Sequence, residues 1–289
     1  MVVIATTTSA LITVGLLAFD VNTALWSRWP LIGLGAIVLV VWLQRKTNVT
    51  LLQLASEILI VVPGYFAYFM VRGMVQGREA EAVGRAAKLI EFEDAVNLFL
   101  EPRIQHVIMH VNFGVTLANW VYIWGHWPVI VFSALWLFFL HRESYPVYRN
   151  AFIISGAIGL VIFSLFPLAP PRFMETWGFV DTVAERSQAY RVLQPPAFVN
   201  QYAAMPSLHF GWNLLVGIAI FRVGSGAFAK VFGAMLPVLM FASIVVTANH
   251  YILDGLAGAS IALFALFVAM ALQRVSRDPS RALTLQPSG

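Results

Sequence analysis

Six histidines punctuate an otherwise apolar chain, at positions 106, 110, 126, 141, 209 and 250. Two of them stand in strings whose residue types could do chemistry. In Ala248-Asn249-His250-Tyr251-Ile252-Leu253-Asp254, a histidine and an aspartate lie four residues apart and so share one face of a helix. The carboxylate can accept a hydrogen bond from one imidazole nitrogen. That fixes the tautomer and aims the other nitrogen outward as a nucleophile or base. Asp254 is the only acid between Glu185 and Asp278, and a lone carboxylate in so apolar a stretch needs a partner. The plainer alternative is a helix-start pair that satisfies only itself.

The second string is Ala203-Ala204-Met205-Pro206-Ser207-Leu208-His209. Pro206 suits the first turn of a helix, where its missing N–H costs nothing, and Ser207 can cap that helix or bind through its hydroxyl. The exposed N–H groups of such a helix start favour an anion, phosphate above all. His209 stands one turn in, able to donate a proton to a leaving oxygen. Taken alone, this is equally a helix start with an incidental histidine. Two histidines, one acid and an anion-ready helix start at the outer ends of helices in one leaflet make the chemical reading the stronger one.

Other polar groups are placed less decisively. Arg172 ends a predicted span on the same side and is the best cation for a phosphoryl group, with Arg186 and Arg191 behind it. Asn119, Tyr122 and His126 fall near one helix face and are either head-group or acceptor contacts or part of an interfacial belt with Trp120, Trp124 and Trp127. His106 and His110 form a pair expected on the inner side, far from this chemistry. No set of residues reads as a metal site.

Membrane helices must do the positioning. The chain has 289 residues, 60% hydrophobic and 11% charged, too few charges to coat a soluble particle, where about 25% is usual. That excludes a soluble enzyme. A net charge of +4, spread over short loops, gives no reason to invoke a nucleic-acid partner. With no cysteine there is neither disulfide nor thiolate chemistry. Apolar runs predict spans near 2–19, 29–44, 51–71, 105–124, 128–140, 151–168, 207–222, 229–248 and 250–272. The first lacks the basic start of a signal peptide and reads as a retained anchor.

Leu89, Phe92, Val96 and Phe99 predict a surface helix over 86–100 along the inner interface, with Glu91, Glu93, Asp94 and Asn97 elsewhere around it. The tail from Arg274 reads as disordered and cytoplasmic. With the loop 169–206 outside, Arg28, Arg72, Arg78, Arg85, Lys88, Arg103, Arg142, Arg149, Arg222, Lys230, Arg274, Arg277 and Arg281 fall inside. Arg45, Lys46, Arg172, Arg186 and Arg191 remain outside. The positive-inside rule favours that orientation, and hence a plasma or inner membrane protein with an extracytoplasmic site.

The pattern Pro206-Ser207-x-His209, then His250-x-x-x-Asp254 about forty residues later, resembles the type 2 phosphatidic acid phosphatase superfamily. The strings Phe166-Pro167-x-Ala169-Pro170-Pro171-Arg172, Ala203 to His209, and His250-Tyr251-x-x-Asp254-x-x-Ala257-Gly258 resemble its branch of inositol phosphorylceramide synthase and related inositol phosphotransferases. The resemblance covers roughly residues 51–272. It implies an all-α integral membrane protein: a six-helix transmembrane catalytic core over 51–272, additional N-terminal transmembrane segments in 1–50 and a tail over 273–289. It implies that His250 attacks phosphorus to form a phosphohistidine, that Asp254 orients it, that His209 protonates the departing oxygen and that Ser207 lies against the phosphate. No metal or cofactor enters this chemistry. The partners are a lipid-phosphate substrate, the bilayer and an alcohol or lipid acceptor.

The departures bear on the reaction. Where the phosphatase pattern has a lysine, Leu165 stands; where it has Ser-Arg, Ser243 and Ile244 stand; its third-motif glycine is Leu208. These losses tilt the reading from a lipid-phosphate phosphatase to a phosphotransferase. A rival of another class, a haem-binding electron carrier, would want facing histidine pairs buried mid-span, whereas His209 and His250 sit at expected helix ends.

Overall fold

The computed structural model describes residues 25–47, 49–74, 77–183 and 200–277. The predicted first span, the tail beyond residue 277 and the loop positions Arg186, Tyr190 and Arg191 lie outside the described residues. Among the described residues the fold is all helical: α1 (Leu25–Lys46), α2 (Leu51–Met74), α3 (Glu79–Ala95), α4 (Glu101–Met109), α5 (Asn112–Trp124), α6 (Trp127–Leu140), α7 (Tyr145–Leu165), α8 (Leu208–Val223), α9 (Gly226–Val246) and α10 (Ile252–Arg277). The chain divides into two compact units, Met1–Ile60 and Val61–Gly289. The first holds α1 and the start of α2. Everything below concerns the second.

Among the described residues four helices are long and apolar enough to cross a membrane: α2 over Leu51–Val71, α7, α9 and α10. The continuous span predicted over 105–124 is instead a broken pair, α4 and α5, bent by 119°. Helices α6 and α8 are apolar but only 14 and 16 residues long. At 1.5 Å per residue, α8 measures about 24 Å, short of a hydrocarbon core of about 30 Å. Proline opens the first turn of α4, α6 and α7, where no N–H is missed.

Helices α8 and α9 form an antiparallel hairpin, α7 and α10 an antiparallel pair, and α8 lies between α9 and α10. The α8–α10 crossing is unusually close. A Cβ on Gly258 of α10 would fall inside the van der Waals radius of the Ser207 carbonyl oxygen, and one on Gly211 would meet the Gly258 carbonyl at 2.6 Å. The backbone N–H of Ser207 then donates to the carbonyl of Asp254 at 2.9 Å. Two glycines therefore bring the two chemical strings together.

The sequence expectation for α3 fails in place and in facing. Helix α3 covers the end of the bundle that holds His209 and His250. Its Ala82 carbonyl accepts from the N–H of Ala169, and Ala82, Ala86 and Ile90 pack with Leu168, Phe179, Ala204 and Tyr251. Phe92 and Val96 face outward, 55% and 45% exposed, while Glu93 is wholly buried. The reversal has a physical origin. A helix at a membrane surface meets lipid on its outer side, so its apolar stripe need not point at protein. Asn97, in the left-handed region at φ 57°, ends α3 with paired bonds from Asn97 N–H to the Asp94 carbonyl and from Leu98 N–H to the Glu93 carbonyl.

Helix α4 lies at the same end, since Gln105 donates to the carbonyls of Val180 and Val246. His106 and His110, 3.3 Å apart between Nε2 atoms, thus stand at the catalytic end and not opposite it. Arg78, Arg85, Lys88 and Arg103 move with these helices, and the positive-charge count ceases to favour one orientation.

Gly258→Ala is expected to destabilise the protein by about 1–3 kcal/mol through overpacking, read as a lower thermal unfolding midpoint in detergent. Gly64→Ala, where a Cβ meets nothing within 4 Å, is the control and should not lower it. Equal midpoints for wild type and Gly258→Ala would contradict the close crossing.

Candidate active site

Three backbone segments converge where α8 and α10 begin. The connection from α7 crosses the catalytic end in two short turns, Pro171–Phe173 and Glu175–Trp177. It is pinned by a parallel bridge between Leu168 and Ala203. Ser207 caps α8, its side chain accepting from the N–H of Phe210 at 3.4 Å. Pro206 lies one residue outside that cap, not in the first turn where the sequence placed it. Helix α9 ends at Thr247, and the chain turns through Ala248 at φ 52° to deliver Asn249 and His250.

The rings of His209 and His250 face each other with centroids 5.8 Å apart. Nδ1 of His250 lies 2.7 Å from the Ala204 carbonyl oxygen. A carbonyl only accepts, so Nδ1 carries the proton and Nε2 presents a lone pair. Oδ2 of Asp254 is farther from Nδ1, at 3.5 Å, and accepts the N–H of Tyr251 at 3.0 Å. The expected pairing of His250 with Asp254 is therefore present as the longer of two contacts of Nδ1, with the Ala204 carbonyl the closer partner.

Arg172 reaches the site from the α7 connection. Its N–H donates to the Ala248 carbonyl at 2.8 Å, and its guanidinium donates to Oδ1 of Asn249, the residue before His250. Nδ2 of Asn249 donates to Oγ1 of Thr247 at 2.9 Å. Asp181 Oδ2 lies 3.7 Å from Nε of Arg172. Asn249 stood beside His250 in the sequence but carried no signal of its role until Arg172 was placed against it.

The expected head-group residues lie deeper. Tyr122 and His126 stack on His209, with ring centroids 4.6 and 4.1 Å away, and His126 stacks in turn on Trp212 at 5.9 Å. Asn213 Nδ2 donates to the His209 carbonyl at 2.9 Å and to Nδ1 of His126 at 3.0 Å, so Nε2 of His126 carries its proton. Asn119 exchanges two bonds with Thr182, donating to its carbonyl at 2.9 Å and accepting from its hydroxyl at 3.0 Å. All three residues are buried and form a floor and side wall under His209. In the connection from α7, Phe179 is in the apolar core while Trp177 is 37% exposed. Ser243 donates to the Ala118 carbonyl at 2.6 Å, and Ile244 packs beside Tyr122, so no cation occupies that corner. Among the described residues no cluster of three or more histidine, aspartate or glutamate side chains could hold a metal.

The family model of the PAP2 superfamily matches residues 87–268, and the chain belongs to that superfamily. A phosphoinositol dihydroceramide synthase from Bacteroides thetaiotaomicron is 26% identical over 186 residues, covering 58% of this chain and 58% of its own length. No solved structure matches. The chain is an integral membrane protein of a family that acts on lipid phosphoesters.

His250→Ala and His209→Ala are each expected to cut turnover by about 10³-fold or more while leaving helix content and the unfolding midpoint near wild type. Near-wild-type turnover by folded His250→Ala would remove that residue from the chemistry.

Proposed function

We propose that this chain is a membrane-embedded lipid phosphotransferase, inositolphosphotransferase-like, that works through a phosphohistidine on His250. The observation that carries this reading is the facing pair of imidazoles, one with its Nδ1 proton committed to the Ala204 carbonyl. In the first step the Nε2 lone pair of His250 attacks phosphorus. The bond from phosphorus to the leaving oxygen breaks, and that oxygen takes a proton from His209. In the second step His209 takes a proton from an acceptor hydroxyl, whose oxygen attacks phosphorus and releases His250. The Ala204 carbonyl and the Asp254 carboxylate stabilise the positive charge that His250 carries in between.

Arg172, steadied by Asn249, is placed to neutralise the non-bridging oxygens. Ser207 and the first turn of α8 supply the remaining phosphate contacts. Tyr122, His126 and Asn119 act chiefly by setting His209 and the loop above it. A six-helix core made of the broken pair α4 and α5 with α6 to α10 fits these contacts, and α1 falls in the N-terminal extension.

Transfer is favoured over hydrolysis because Leu165 and Ile244 stand where the resembled phosphatases carry cations, and because aromatic rings floor the site and disfavour water. The relative's name pairs phosphoinositol with dihydroceramide, which supports a phosphoinositol donor and a lipid alcohol acceptor here. Because the match spans 58% of that relative, the substrates are carried over by likeness of the site alone. Phosphorus-labelled lipid donors incubated with purified enzyme should give labelled product only when an alcohol acceptor is present. Free phosphate released from a monoester without acceptor would establish the lipid-phosphate phosphatase instead.

The catalytic end is read as extracytoplasmic. That sidedness is the expectation carried by the resemblance, since basic residues stand at both ends: Arg78, Arg85, Lys88, Arg103 and Arg172 at the catalytic end, and Arg142, Arg149, Arg222, Lys230, Arg274 and Arg277 at the other. The cysteine-free chain permits single-cysteine probes. Lys88→Cys should react with an impermeant maleimide in whole cells and Arg274→Cys only after lysis. The reverse pattern would invert the protein in the membrane.

A further inference from the structure

Two buried carboxyl groups that the chemistry above does not use converge on the start of α10. Oε1 of Glu101, from α4, accepts the N–H of Ile252 at 2.8 Å. Oε1 of Glu93, from α3, accepts the N–H of Leu253 at 3.1 Å. With Oδ2 of Asp254 on the N–H of Tyr251 at 3.0 Å, three consecutive amides after His250 are each held by a different carboxyl. A helix start leaves such amides unsatisfied and partly positive, so the arrangement is complementary. Both glutamates are wholly inaccessible, and one oxygen of each has no hydrogen-bond partner among the described residues.

We infer that Glu93 and Glu101 are a positioning pair for His250, clamping the first turn of α10 to α3 and α4. The inference rests on the reading of His250 as the nucleophile. His250 immediately precedes the three held amides, so a slip of the helix start would carry its ring away from His209. Glu93 is the member that holds a proton, because the groups facing it are themselves acidic: Glu101 from α4, Asp254 from α10 and the Tyr251 phenol from the turn before it. The neighbours from the α7 connection, Leu168, Met174 and Phe179, are apolar. Burial first, then the adjacent Glu101 carboxylate, push the Glu93 carboxyl up to about 9.

The sign of the pH dependence follows. A carboxyl that stays protonated in the fold but ionises when unfolded stabilises the fold fully at low pH, and that stabilisation is lost as pH rises from about 5 toward 9. Gln at position 93 keeps a carbonyl acceptor for Leu253 and cannot ionise; Leu removes the acceptor.

Thermal unfolding and steady-state kinetics of wild type, Glu93→Gln and Glu93→Leu test the pair. The midpoint of Glu93→Gln minus that of wild type should grow between pH 5 and pH 9. Glu93→Leu should lower kcat more than tenfold with KM changed less than threefold, and Glu93→Gln should restore kcat to within threefold of wild type. A midpoint difference independent of pH would overturn the protonated Glu93, and wild-type kcat in Glu93→Leu would overturn the positioning role. A wild-type protein without lipid phosphoester turnover would sink the functional reading alone, since the unfolding arm needs no substrate.

Discussion

Everything at the catalytic end depends on the contact between the starts of α8 and α10, where the N–H of Ser207 meets the carbonyl of Asp254. Neither helix start can shift without carrying a histidine with it, since His209 lies two residues after one partner and His250 four before the other. Gly258 and Gly211 make the approach possible. Their absence of side chains is what the fold needs at this crossing, as Gly217 and Gly233 serve the crossing of α8 with α9.

A second constraint follows from burying charge at a membrane surface. The protein answers it with neutral backbone and amide partners more than with ion pairs. His250 leans on the Ala204 carbonyl, Arg172 on Asn249, and the glutamates on helix amides. Each bond spares a polar group from lying unsatisfied, which costs about 1–3 kcal/mol when it occurs. The same bonds hold the groups in fixed directions, which is what a transition state requires of them.

The sequence was legible where chemistry and periodicity are local. His250 and Asp254 advertised themselves by spacing, and the apolar runs located α7, α9 and α10 to within a few residues. It was misleading where a surface has two apolar sides. Leu89, Phe92 and Val96 marked a helix correctly, but periodicity alone cannot say whether the stripe meets protein or lipid, so Glu93 was set on the wrong face and α3 at the wrong end. That single inversion carried Arg78, Arg85, Lys88 and Arg103 with it. The break at residues 110–112 was hidden for the related reason that α4 and α5 are apolar enough in sum to pass as one span. Backbone partners such as Ala204 leave no mark in a sequence at all.

The account's central claim is that phosphorus passes through His250, and rapid quenching tests it directly. Purified enzyme mixed with phosphorus-labelled donor lipid, without acceptor, should accumulate an acid-labile covalent label on the peptide containing His250. Label that forms equally in His250→Ala, or turnover with no protein-bound phosphorus at any time, would contradict it.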